Sequence, residues 1–184
     1  MTKKQLRFFI NPDTLESERL ILRKICEGDV KDINDYAKNP KVSKFLLWSP
    51  HPSIEHTKNY YYTVEHLYSK GKFYDFAVVE KESGKMIGTC GFTSFDLKGN
   101  RGEIGYVLNE NFWGRGYGRE AVKRLLDFAK YNLKLNSVFA KFIKENVKSE
   151  RLLSELGFRE NEGGKFLMEV KGENKVIRIF EKTL

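Results

Sequence analysis

The stretch NENFWGRGYGREAVKRLLDFAKYN, residues 109–132, decides how this chain is read. Gly114, Gly116 and Gly118 stand at alternate positions directly ahead of a helical pattern. Ala121, Val122, Leu125, Leu126, Phe128 and Ala129 recur at the spacing of one helix face, and Arg119, Glu120, Lys123, Arg124, Asp127 and Lys130 fill the other. Such a pattern predicts a helix over about 116–131 with one buried side. A helix N-terminus carries unpaired N–H groups and partial positive charge, and glycines ahead of it let an anion approach them. The turn is therefore a candidate phosphate cradle, or else an ordinary tight connection.

Spacing narrows the ligand. A P-loop needs Gly-x-x-x-x-Gly-Lys-Ser/Thr, and the chain has no such run. A dinucleotide fingerprint begun at Gly114 would end on Arg119; begun at Gly116 it would end on Ala121, which only the relaxed pattern permits. That fingerprint also belongs in a βαβ unit with an acidic residue about 20 positions on. Here the preceding strand belongs to an antiparallel meander, so NAD and ATP are disfavoured.

The meander is legible as three runs with tight links. KFYDFAVVEK (72–81) and MIGTCGFTSFD (86–96) are joined by ESGK, and RGEIGYVLNE (101–110) follows LKGN. Upstream, SERLILRKI (17–25) reads as a strand. EGDVKDINDYAKNP (27–40) reads as a helix closed by Pro40. LLWSPHPS (46–53) is a loop whose Ser53 can cap a helix over 54–69. Downstream come a strand at 137–143 and a short helix in NVKSERLLSELGF (146–158), capped by Asn146 and ended by Gly157. Two last strands, about 158–170 and 174–183, are joined by KGEN. The order β-α-α-β-β-β-α-β-α-β-β predicts one α+β domain over 1–184, with a mixed, mostly antiparallel seven-stranded sheet and about four helices.

Composition sets outer bounds. A chain of 184 residues favours a single domain able to bury a core. No apolar run approaches the ~18 residues of a membrane span. The start, MTKKQLRFFINPD, lacks a secretory h-region, so a cytoplasmic protein is expected. Cys26 and Cys90 are far apart and read as small buried hydrophobes. His51, His56 and His66 lack metal-site spacing and read as surface or loop histidines, so no metal is expected. The formal charge of +8 is spread along the chain, which suits a solvated basic surface or a phosphate-rich ligand.

The run EIGYVLNENFWGRGYGREA followed by NVKSERLLSELGF resembles the GNAT superfamily of acetyl-CoA-dependent N-acetyltransferases. With the opening LESERLILRKICEGDVKDI, it is most similar to the RimJ/RimL-like branch, the ribosomal-protein N-terminal acetyltransferases. The resemblance begins near Leu15 and leaves residues 1–14 outside as an N-terminal extension. The superfamily's phosphate turn has the form Arg/Gln-x-x-Gly-x-Gly/Ala, and here Trp113 takes its first position.

The resemblance implies a GNAT-type domain whose central parallel strand pair splays apart, with acetyl-CoA as cosubstrate. Backbone N–H groups of Gly114, Arg115, Gly116, Tyr117, Gly118 and Arg119 would hold the pyrophosphate, with added charge from Arg115 and Arg119. The Val107 N–H would donate to the thioester oxygen, and Leu108 and Asn109 would pair with the pantetheine amides. Asn146 would lie against the same arm, and Ser149 would protonate or hydrogen-bond the leaving thiolate. Glu103 would be the general base, directly or through water. Arg151 and Phe158 are candidates for the border of the cofactor site, Trp48 and Tyr60–Tyr62 for the acceptor entrance.

The acceptor implied is a primary amine attacked in a ternary complex: a protein N-terminal amine, or a small amine such as a polyamine, aminoglycoside or amino-acid derivative. No membrane is involved, and nucleic acid enters only through association with the ribosome. Two rival readings stand beside the enzyme. One is a noncatalytic RNA- or ribosome-binding module, motivated by charge. The other is a degenerate acetyltransferase that senses acetyl-CoA.

Overall fold

The computed structural model describes residues 14–70 and 74–184. Nearly all of the N-terminal extension, residues 1–13, and the first two residues of the 72–81 run lie outside that range. The described strands form one sheet in the order β1-β2-β3-β4-β5-β6-β9-β7, with β8 paired to β9. They are β1 (Leu15–Glu16), β2 (Leu20–Lys24), β3 (Tyr74–Glu80), β4 (Met86–Asp96), β5 (Arg101–Leu108), β6 (Ser137–Ile143), β7 (Arg159–Glu160), β8 (Phe166–Val170) and β9 (Glu173–Thr183). Five α-helices accompany them: α1 (Val30–Ala37), α2 (Pro40–Ser43), α3 (Ile54–Ser69), α4 (Tyr117–Tyr131) and α5 (Val147–Glu155).

This is the mixed, mostly antiparallel sheet expected; only β5 and β6 run parallel. The strand count exceeds seven for local reasons. The extra strand β1 is only two residues long, and the 158–170 run breaks into β7 and β8 around Gly163 and Gly164. Pro40 opens α2 instead of closing α1. Its missing N–H costs nothing at the first helical position, and the Asn39 side chain caps the turn by accepting from Lys41 N–H.

A small third cluster gathers Ile143, Val170 and Ile177, and the two larger cores lie on opposite faces of the sheet. One is built from α4, α5 and the inward residues of the strands, among them Phe76, Phe92, Leu125, Phe128 and Leu153. The other joins α1 and α3 to the reverse face through Ile33, Tyr36, Val64, Tyr68 and Ala77. Helix α4 buries Ala121, Val122, Leu125, Leu126, Phe128 and Ala129, as its periodicity predicts. Each large side chain among them contributes about 1.5–3 kcal/mol. Among the described residues no helix is long and apolar enough to cross a membrane.

Two single residues depart from expectation. Cys90 is buried but Cys26 is exposed. His51 is buried, with Nδ1 2.9 Å from Thr57 Oγ1.

The feature that creates a site is a parting of the sheet. Strands β5 and β6 pair only at Arg101↔Ser137, Gly102↔Val138 and Glu103↔Phe139. Beyond Glu103 each continues against its outer neighbour alone, β5 on β4 and β6 on β9. A wedge-shaped gap opens along Ile104–Leu108.

Candidate active site

The glycine turn closes the wide end of the gap. Gly114 and Gly116 have φ of 75° and 82°, the left-handed region that favours glycine. Gly116 is the N-cap of α4. Gly118 serves packing instead: a Cβ there would come 3.1 Å from Leu152 Cδ1 and 3.5 Å from Leu108 Cδ1. The turn is fastened from behind. Arg19 Nη1 donates to the Arg115 carbonyl at 3.0 Å, and Arg19 also grips Glu120 in the first turn of α4. The Tyr117 hydroxyl donates to the Glu80 carboxylate at the end of β3. The amides of 114–119 thus sit at a braced helix N-terminus, the setting an anion favours.

The register decides which backbone groups of β5 face the gap. Asn109 N–H donates to the Ile87 carbonyl at 2.8 Å, one step beyond the pair Leu108↔Gly88. On antiparallel strands, opposed residues alternate between exchanging hydrogen bonds and turning them outward. Val107, opposite Thr89, therefore turns its N–H and C=O toward β4, while Tyr106 and Leu108 turn theirs toward the gap. Two contacts agree with this. The Val107 carbonyl is the atom that a Cβ at Gly88 would strike, and the Leu108 carbonyl accepts the Trp113 indole N–H at 2.8 Å. The expected donor shifts by one residue: Tyr106 and Leu108, not Val107, present N–H groups to a ligand in the gap. Asn109 is also committed, its amide to Ile87 and its side chain to Asn111 N–H at 3.0 Å.

Ser149 lies in the first turn of α5, whose cap is Asn146; the Asn146 side chain accepts from Ser149 N–H at 3.2 Å. Tyr106, which the sequence reading did not single out, meets it: the Tyr106 hydroxyl contacts Ser149 Oγ at 3.1 Å. Burial holds the Tyr106 phenol well above its ordinary pKa, with the Ser149 contact opposing. The signal was present in the period of two along β5, which places Tyr106 on the same face as Ile104 and Leu108, toward α4.

Glu103 points to the opposite face. Its Oε2 accepts from Lys141 Nζ at 3.0 Å and from Ser94 Oγ at 2.9 Å, at the last paired position before the gap opens. The two residues predicted to do chemistry thus flank the sheet from opposite sides.

A cavity of about 1000 Å³ joins the glycine turn to the Tyr106–Ser149 contact, with Leu108, Trp113 and Asn146 also in its wall; Glu103 is not among its lining residues. Its volume is at the upper end for a cofactor site. Five basic side chains line it against three acidic ones. Lys41 is neutralised by Glu110 at 2.9 Å and Arg151 by Glu155 at 2.9 Å. Among the described residues no acidic partner holds Lys44, Arg119 or Lys148, and Lys148 rests over the Trp113 ring at 4.1 Å. The Arg115 guanidinium stacks on Phe112 at 5.4 Å. Phe158 is a core residue, fully buried. The cavity is therefore apolar-walled and positive beside the glycine turn, where Arg119 and Lys148 stand.

The reverse face carries the expected acceptor elements. Trp48 and Tyr60 pack on the α1–α3 core, Tyr61 is buried there, and Tyr62 is exposed. Asp75 on β3 lies in one cross-strand row with Gly91 and Gly105. Burial pushes its carboxyl up to about 7, against the lowering effect of the Thr89 side chain and the Phe76 backbone.

A parted sheet with a phosphate-ready helix N-terminus at its mouth is the arrangement that the GNAT resemblance implies. The profile described as the acetyltransferase (GNAT) domain matches residues 19–159, and the chain belongs to that family. It is 36% identical over 148 residues to the uncharacterized N-acetyltransferase p20 of Bacillus licheniformis, covering 80% of this chain and 83% of that one. The fold is shared with a putative ribosomal-protein-serine acetyltransferase from Vibrio cholerae, with a TM-score of 0.82 at 22% identity over 95% of this chain and 99% of that one. It is also shared with the spermidine N-acetyltransferase of Vibrio cholerae solved with CoA and spermine, with a TM-score of 0.77 at 21% identity over 91% and 96%. The chain is an N-acetyltransferase, and the charge-based reading as a noncatalytic RNA-binding module gives way.

Proposed function

We propose that this enzyme transfers the acetyl group of acetyl-CoA to a protein N-terminal amine, as a member of the RimJ/RimL-like branch. The observation that carries the reaction is the cavity that joins the braced glycine turn, the outward amides of β5 and the Tyr106–Ser149 contact. In this reading the amides of Gly114–Arg119 hold the pyrophosphate, and Arg115 and Arg119 add charge-assisted contacts. The Tyr106 and Leu108 N–H groups meet the thioester end and the arm, and Asn146 borders the arm. An amide aimed at the carbonyl oxygen stabilises charge that develops only in the transition state. The amine approaches from the reverse face, where Glu103 takes its proton directly or through water. The thiolate leaves on the α4 side, where Ser149 donates to it. Attack from one face and departure from the other suits direct transfer in a ternary complex.

The likeness to a ribosomal-protein-serine acetyltransferase supports the protein acceptor. A second reading, a small amine acceptor, draws support from the likeness to the spermidine N-acetyltransferase solved with CoA and spermine. Release of CoA from acetyl-CoA, followed with a thiol reagent against peptides with free N-termini, spermidine, an aminoglycoside and free amino acids, separates the two. Turnover with peptides, with mass spectrometry locating the acetyl group on the α-amine, is the expected result. Turnover with small amines alone would overturn the protein acceptor.

A further inference from the structure

We propose that Tyr106 is a positioning residue that orients the Ser149 hydroxyl toward the departing thiolate. The inference rests on the assignment of Ser149 as the donor to that thiolate.

Two hydroxyls 3.1 Å apart share one proton between them, and either can donate. A phenol is the stronger acid of the pair and an aliphatic alcohol the better acceptor, so the Tyr106 O–H donates to Ser149 Oγ. The Ser149 side chain has one proton of its own. With a lone pair occupied by Tyr106, that proton is directed elsewhere, into the cavity both residues line. Were Tyr106 a phenylalanine, nothing on β5 would oppose rotation of the serine hydroxyl toward another acceptor. The serine is otherwise well fixed. Its backbone N–H is held by the Asn146 side chain at 3.2 Å, and α5 is stopped by Gly157 at a φ of 85°. Tyr106 is fixed as well, on a strand paired with β4 along its length. Burial keeps the phenol protonated throughout the physiological range, so the donation does not lapse with pH.

The step balances without a net proton. The amine nitrogen forms its bond to the carbonyl carbon and loses one proton. The C–S bond breaks, its electron pair goes to sulfur, and sulfur finally gains one proton. Ser149 supplies a hydrogen bond to the sulfur while that charge develops, and Tyr106 keeps the hydrogen bond aimed. Because the same strand residue also turns its backbone N–H toward the gap, one residue acts at both ends of the breaking bond. Its amide faces the carbonyl side, and its hydroxyl acts through Ser149 on the sulfur side.

The test is a double-mutant cycle of Tyr106→Phe and Ser149→Ala, reading kcat, KM for acetyl-CoA and acetyl-CoA affinity by calorimetry. Loss of one aimed hydrogen bond predicts that Tyr106→Phe lowers kcat about five- to tenfold with acetyl-CoA affinity unchanged. Ser149→Ala lowers kcat at least as much. The double variant falls no further than Ser149→Ala, because Tyr106 acts only through the serine. Multiplicative losses would show that Tyr106 acts independently, and undiminished kcat in Tyr106→Phe would show that it does not act at all; either overturns the proposal. Undiminished kcat in Ser149→Ala would instead overturn the assignment of Ser149 on which it rests. A Tyr106→Phe variant that lost affinity and kcat together would mark a packing role and also overturn it.

Discussion

Arg19 holds Glu120 with three groups at once. Its backbone N–H reaches Glu120 Oε1 at 2.7 Å, its Nε reaches Oε2 at 2.8 Å and its Nη2 reaches Oε2 at 2.7 Å. The remaining Nη1 donates to the Arg115 carbonyl inside the glycine turn. A single residue in the bend just ahead of β2 therefore sets both the first turn of α4 and the carbonyl beside Gly116. The Arg19 side chain is 43% exposed, so the ion pair itself is worth only about 1 kcal/mol. Arg19→Ala should cost little stability, while the loosened turn lowers acetyl-CoA affinity several-fold. Calorimetric titration checks it, and an unchanged dissociation constant would remove Arg19 from the bracing of the turn.

Gly116 offers a sharper probe. A Cβ there meets only Arg19 Nη2, at 3.4 Å, so space is not the constraint. The left-handed backbone is, and a non-glycine residue in that region costs roughly 1–2 kcal/mol. Gly116→Ala should fold, with Tm lowered by a few degrees and weakened cofactor binding. Gly116→Glu adds a carboxylate where a pyrophosphate is expected and should abolish acetyl-CoA binding. Retained affinity in the glutamate variant would sink the cradle.

Sequence pattern carried the order of the elements, the buried face of α4 and the splayed pair, because all three follow from residue periodicity and from a resemblance that spans most of the chain. It failed where neighbours decide. The two-residue β1 exists only because Leu15 and Glu16 find Leu22 and Ile21 across the turn. The amide direction of Val107 depends on whether its partner is Thr89 or the residue beside it, a one-residue matter set by β4 and invisible in RGEIGYVLNE. Tyr106 was hidden for a related reason. An aromatic residue on a strand reads as core until α5, forty residues on, brings Ser149 against it. His51 reads as a loop residue until Thr57 and the rings of Trp48, His56 and Tyr60 enclose it.

Asp75 makes stability depend on pH. Its folded pKa, about 7, lies above the value of 3.8 expected for an open aspartate. The native state therefore holds this proton more tightly than the unfolded chain does. The contribution is fully present below about pH 4 and is lost as pH rises toward 7. Asp75→Asn keeps the shape and removes the charge. Thermal melts should show the variant gaining on the parent as pH climbs from 4 to 8, with the gain level above that. A gap that stays constant across the window would mean the carboxyl is not held neutral by its surroundings.

Glu103 is bound to Lys141 and Ser94, which fix its carboxylate beside the narrow end of the gap. Glu103→Gln keeps the hydrogen bond to Ser94 and removes the proposed base. Turnover should fall about 100-fold, in the range of general-base losses, with acetyl-CoA affinity unchanged. A variant with parental turnover would leave the amine to be deprotonated by something else.

Trp113 stands where the superfamily's turn begins with Arg or Gln, and its indole does work that neither would do in the same way. Its N–H holds the Leu108 carbonyl at 2.8 Å, and its ring carries the Lys148 ammonium at 4.1 Å. The first contact fixes the carbonyl that β5 turns toward the gap; the second holds a cation at the rim of the positive end. A phosphate-bearing ligand entering the cavity should draw Lys148 off the ring and change the indole's surroundings. The chain has two tryptophans, so a Trp48→Phe background isolates this one. In that background acetyl-CoA should change the tryptophan emission saturably, with a dissociation constant equal to the calorimetric one. Trp113→Phe leaves the ring for Lys148 but strands the Leu108 carbonyl, and should weaken binding about five- to tenfold, the worth of one hydrogen bond. A titration with no emission change, despite binding by calorimetry, would put the cofactor's charged end away from Lys148 and Trp113.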